Sequence, residues 1–151
     1  MKYTTEISNR LNDLLEKTYD AEKGYKLAAD EAKESYVKDF LKDKEKQRRA
    51  FGFELKTEIM EYGELPEKGG SLGGDLHRLW MKLKPLMSSE KTEKILEEVE
   101  RGEKASLEEY NDILKNSEMR LPPSTERLLI QQRDAIQAAL NTSKMYEEIL
   151  S

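Results

Sequence analysis

A chain of 151 residues is long enough to bury one sizeable core and too short for two comfortable ones. Its 26 Lys and Arg against 31 Asp and Glu leave a net charge of −5, which argues against nucleic acid or an anionic membrane as the main partner. The absence of cysteine excludes a disulfide framework, thiolate catalysis and Cys-ligated zinc or iron–sulfur sites.

Glu, Lys, Leu, Ala, Gln and Arg dominate, the residues that lose least on entering a helix, and only Val37 and Val99 represent valine. A first helix is expected to start after Thr4 or Thr5, with Ile7, Leu11, Leu14, Thr18, Ala21, Tyr25, Ala28 and Ala32 recurring every three or four residues. A break near Glu34 leads to a second helix capped by Ser35. It carries Val37, Phe40, Lys44, Phe51, Leu55 and Tyr62 on one face and ends at Gly63, a natural position for left-handed backbone. Between Glu64 and Ser89 the pattern changes: Gly69, Gly70, Gly73 and Gly74 precede a short amphipathic piece containing Leu76, Leu79, Trp80 and Leu83, which Pro85 ends. A third helix is expected from about Lys91 to Asn116, along Leu96, Val99, Glu103, Ser106, Tyr110 and Ile113. Leu121-Pro122-Pro123-Ser124 closes it, and Ser124 is expected to cap a fourth helix with Leu128, Gln132, Ala135, Ala139, Ser143, Tyr146 and Leu150 in line. The reading is a single all-α domain over residues 1–151. Two helical hairpins joined by one long crossover, itself containing a short helix, give an antiparallel four-helix bundle with ferritin-like connectivity.

The blocks Leu11-Asn12-Asp13-Leu14-Leu15, Asp20 to Tyr25, Phe51-Gly52-Phe53-Glu54-Leu55, Leu76 to Met81 and Glu98 to Glu103 occur in that order along nearly the whole chain. Together they resemble a bacterial ferritin-like four-helix-bundle family of unknown function, associated with stress responses, within the rubrerythrin and ferritin superfamily. The resemblance implies the fold, a homodimer and a bacterial cytoplasmic setting, and it implies no established activity.

A ferritin-like bundle raises the question of a di-metal carboxylate site, built from a Glu on each of two helices and Glu-x-x-His on the other two. Iron or manganese would suit such ligands, and Glu22, Glu54, Glu100 and Glu103 are the candidates the resemblance offers. The pattern departs from that requirement at two places: Thr57 stands three residues after Glu54, and no Glu-x-x-His lies on the fourth helix. Counting from the turns sets Glu22 and Glu103 at one level of the bundle, with Lys44 and Arg48 as near neighbours on the second helix. A buried Glu needs a compensating cation. The preferred reading is therefore a buried polar layer of Glu22, Lys44, Arg48 and Glu103 in place of a metal, with no cofactor. A metal-dependent oxidase, peroxidase or storage protein with a degenerate carboxylate site is the alternative.

The lone histidine, His77, beside Trp80, marks a possible pocket under the crossover. Gln132 reads as a core amide satisfied near Tyr110, and Gly24 as an outward glycine suited to a dimer contact. No nucleophile–base arrangement, phosphate-binding glycine loop or stretch of about 20 apolar residues occurs. No catalytic residue is assigned. The expectation is a cytoplasmic, self-associating interaction protein rather than an enzyme.

Overall fold

The computed structural model describes residues 2–67, 92–116 and 118–151. They form four long helices and, among the described residues, no strand: α1 (Lys2–Glu31), α2 (Ser35–Glu61), α3 (Thr92–Leu114) and α4 (Pro123–Leu150). The expected crossover helix, with Leu76, His77, Leu79 and Trp80, lies outside the described residues.

Each boundary has a local cause. α1 ends where Ala32 donates to the Ala28 carbonyl and Glu34 turns extended (φ −74°, ψ 128°), so α2 starts at Ser35 itself, and no side chain caps it. α2 closes in the double-bonded arrangement that a left-handed residue permits. Gly63 (φ +78°) donates to the Met60 carbonyl at 2.9 Å and Glu64 to that of Ile59 at 3.4 Å. α4 begins one residue before the expected cap: Pro122 occupies the cap position and Pro123 opens the helix, where its fixed φ and missing N–H cost nothing. The Ser124 hydroxyl instead donates to Glu58 Oε2 of α2 at 3.3 Å.

The helices occupy the corners of a square, with α1 beside α2 and α3, and α4 beside α3 and α2. The backbone N–H of Lys33 reaches the hydroxyl of Thr92 at 3.3 Å, so the end of α1 meets the start of α3. Tyr146 packs edge-on to Tyr36 and Phe40, at 5.1 and 5.4 Å between ring centres, so the end of α4 meets the start of α2. Every neighbouring pair is thus antiparallel, while α2 and α3 run parallel across the diagonal. α2 finishes beside the start of α4, where Tyr62 and Thr125 share a 2.6 Å hydrogen bond, and α3 starts at the opposite end. This is the bundle topology with one long connection. The described start of that connection is held against α1. The Asn12 amide donates to the Leu65 carbonyl (3.2 Å) and accepts from the Glu67 N–H (2.9 Å), and the Tyr19 hydroxyl donates to the Glu67 carbonyl (3.2 Å).

Two apolar clusters fill the bundle. One, around Leu11, Leu15, Leu55, Ile59, Ile113 and Leu129, lies toward the start of α1. The other, around Ala28, Ala32, Val37, Leu41, Ile95 and Leu96, lies toward its end. Between them sit the buried polar side chains Thr18, Arg48 and Glu103.

Candidate functional site

Two buried charges in one layer demand a specific geometry, because each loses water that only a partner can replace. Arg48, on the core stripe of α2, and Glu103, on that of α3, face each other across the diagonal and are 1% and 2% exposed. Arg48 Nη1 donates to Glu103 Oε1 at 2.7 Å and Nη2 to Oε2, so guanidinium and carboxylate meet fork to fork. The Tyr25 hydroxyl of α1 also donates to Glu103 Oε2, at 2.7 Å. The guanidinium lies against the faces of Tyr25 and Phe51, 5.4 and 5.6 Å from the ring centres, which replaces some of its lost hydration. Burial alone would lower the Arg48 pKa. The charge and hydrogen bonds of Glu103 outweigh it and hold the side chain cationic. Burial, reinforced by the Glu103 charge, pushes the Tyr25 phenol well above its ordinary range, so it stays protonated and a donor.

A second polar set lies next along the bundle. The Tyr110 hydroxyl of α3 donates to Gln132 Oε1 of α4 at 2.6 Å. The Gln132 amide nitrogen donates to Glu54 Oε1 at 3.1 Å and to the Phe51 carbonyl at 3.4 Å. Gln132 is thus a satisfied core amide, as its place among apolar neighbours requires.

Of the four side chains expected in the charged layer, the structure brings together Arg48 and Glu103. Glu22 is not with them. It lies on the flank of α1 that faces α2, where it accepts from Arg49 Nε at 3.2 Å and keeps contact with water. The inward place belongs to Tyr25, one turn further on, which is buried and donates to Glu103. Lys44 is also outside the layer, over the Phe40 ring and 3.4 Å from Asp43 at the bundle surface. Tyr25 was readable only as an apolar position on the first helix's stripe, although its hydroxyl on that stripe signals a need for a buried acceptor.

The metal candidates diverge. Glu54 is exposed and binds Gln132, Glu22 binds Arg49, and Glu100 faces the seam between α3 and α4, toward Glu147. Both oxygens of Glu103 are held by a guanidinium, which would repel a metal ion at the same carboxylate. Among the described residues no three His, Cys, Asp or Glu side chains converge on one point. The donor set therefore does not fit a di-metal centre. His77 and Trp80 lie outside the described residues. No helix of the described residues is long and apolar enough to cross a membrane.

The family model described as "Domain of unknown function (DUF2383)" matches residues 6–116. The chain belongs to that family. The matched span contains Tyr25, Arg48 and Glu103, all three members of the buried layer, and stops before α4. No curated protein matches the chain.

Proposed function

We propose that this protein is a ferritin-like bundle working as a non-enzymatic, self-associating interaction scaffold, in which an ion pair holds the carboxylate that the superfamily would give to a metal. The observation that carries this reading is the fork-to-fork pairing of Arg48 with Glu103, closed by Tyr25. A guanidinium on both carboxylate oxygens performs the charge compensation that a cation would otherwise provide, and it offers no open coordination position for chemistry. Self-association is supported by apolar side chains left half or more in water: Phe53 and Met60 on α2 (63% and 56% exposed) and Met145 and Ile149 on α4 (50% and 62%). The partner we assign is a second copy of the chain. The bacterial, cytoplasmic and stress-associated setting rests on the resemblance of the ordered sequence blocks.

Elemental analysis of protein purified without chelator, combined with sedimentation at micromolar concentration, tests both halves of the reading. The expected results are iron, manganese and zinc well below one per chain and a mass about twice 17.6 kDa. Stoichiometric metal that is lost in a folded Glu103→Gln variant would overturn the ion-pair half. A mass of one chain would overturn the other.

A further inference from the structure

α2 has a face turned away from the core stripe that carries Arg48. Along it Lys42, Lys46, Phe53 and Met60 recur at intervals of four and seven residues, so all four project from one side of the helix. Phe53 is 63% and Met60 56% exposed, and both lysines stand in water. The apolar patch continues sideways. Lys56 lies over the rings of Phe53 and Tyr19, at 5.3 and 5.1 Å, and the Tyr19 hydroxyl holds the segment that carries Leu65, 87% exposed.

The charges around this patch are sorted by position. Toward the start of α2 the face is basic, with Lys42 and Lys46. Past Met60 it is acidic, with Glu61 and, beyond the turn at Gly63, Glu64. None of these four side chains has a hydrogen bond or ion pair among the described residues. The neighbouring charges are engaged, Arg49 by Glu22 and Glu45, and Asp43 by Lys44, while Asp39 lies before Lys42 and beyond this stretch. A face that is basic at one end, apolar in the middle and acidic at the other is complementary to its own copy laid antiparallel. Met145 and Ile149, the exposed apolar pair on α4, lack flanking charges of both signs, since the last turn of that helix contains no basic residue.

We propose that the outer face of α2 is the surface through which two copies of this chain associate, packed antiparallel about a two-fold axis at Phe53. This rests on the self-association proposed above and gives it a location and a direction. Matched about that axis, Phe53 meets the partner's Phe53, Lys46 comes level with the partner's Met60 and the partner's Glu61, and Lys42 approaches the partner's Glu64. The lysine stems cover the methionine while their ammonium groups reach the carboxylates. Arg49 falls beside the partner's Lys56, and its engagement by Glu22 and Glu45 weakens that repulsion. Symmetry makes each contact twice. Laid parallel, the same faces would set lysine against lysine and glutamate against glutamate.

The test is sedimentation equilibrium of the full chain at micromolar concentration, with circular dichroism to establish that each variant is folded. Wild type is expected to be a dimer. Lys42→Glu with Lys46→Glu, and separately Glu61→Lys with Glu64→Lys, should each dimerise about tenfold more weakly or worse, because like charges then face each other across the interface. An equimolar mixture of these two variants should recover the wild-type affinity, since every opposed pair again has opposite signs. Phe53→Glu should abolish the dimer, and Met145→Glu should leave it unchanged. A monomeric wild type would overturn self-association and this interface together. A dimeric wild type that Phe53→Glu leaves intact, or that Met145→Glu dissociates, would overturn the interface alone. Charge variants that weaken the dimer but fail to restore it on mixing would overturn the antiparallel alignment.

Discussion

Replacing Arg48 by Met removes the cation and keeps most of the volume, which makes Arg48→Met the most informative single perturbation of this bundle. Glu103, 2% exposed, would retain one hydrogen bond, from Tyr25 at 2.7 Å, and lose both contacts with the guanidinium. Breaking a buried pair by removing one partner typically costs about 3–5 kcal/mol, since the remaining charge stays desolvated. Whole domains are stable by only about 5–15 kcal/mol, so the loss is a large share of the total. At about 2–4 °C per kcal/mol for a domain of this size, melting should fall by about 6–20 °C. The sign with pH follows from the stranded group. In the variant the buried carboxyl binds a proton more tightly folded than unfolded, so the deficit should be smallest at acidic pH and grow as pH rises to neutrality. Urea melts of wild type and variant at pH 5 and pH 7.5 measure both quantities. A matched control is the triple variant Arg48→Met, Glu103→Leu, Tyr25→Phe, which removes charge and hydroxyl together and should recover most of the loss, because apolar replacement of a whole buried network is often neutral or better. An Arg48→Met protein within about 0.5 kcal/mol of wild type, with no pH dependence of the difference, would refute the reasoning, because surface substitutions away from special features stay within that range.

Other perturbations address separate features. Gln132→Leu leaves the buried Tyr110 hydroxyl without its 2.6 Å acceptor and should cost about 1–3 kcal/mol in chemical denaturation. Gly102→Ala should raise stability by about 1 kcal/mol, since an added Cβ meets nothing within 4 Å and glycine is a poor helix former. Gly63→Ala should lower it by about 1–2 kcal/mol, because φ of +78° strains any side chain there. The raised Glu100 carboxyl makes the folded state bind a proton that the unfolded state releases. Its contribution should therefore be complete below pH 4.5 and lost as pH rises through about 7, and calorimetry of wild type against Glu100→Gln should show that slope in the wild type alone.

The fold was legible because long stripes at helical spacing leave few alternatives, and Gly63 and the Pro122-Pro123 pair mark where helices must stop and start. The helix starts shifted by a few residues at most, since Ser35 and Ser124 look like caps but the backbone turns before them. The layer was half legible. Glu103 announces itself as a charge on an apolar stripe, and counting from the turns brings Arg48 to its level, whereas Lys44, the charge on the expected stripe of α2, lies at the surface. Glu22 misled because a helix carries adjacent residues about 100° apart, and a side chain on the edge of a stripe can reach either inward or sideways. Arg49 lies on the sideways path, and Tyr25 occupies the inward one. The Glu100–Glu147 seam was not legible, because which flank of α3 meets α4 depends on how the two hairpins dock, and single-helix periodicity does not contain that information.

The contacts joining α2 to α4 have a consequence for how the hairpins can slide. Glu58 meets the start of α4 at Ser124 and Thr125, the Phe51 carbonyl meets Gln132 in the middle, and Tyr36 and Phe40 grip Tyr146 at the far end. Smooth apolar ridges would let one helix step past another by a turn, about 5.4 Å, and find a similar groove. Here three fixed marks at different heights index the same axial phase, and a one-turn step breaks all of them together. The apolar stripes make these helices associate, while the sparse polar and aromatic contacts make a single alignment the only low-energy one.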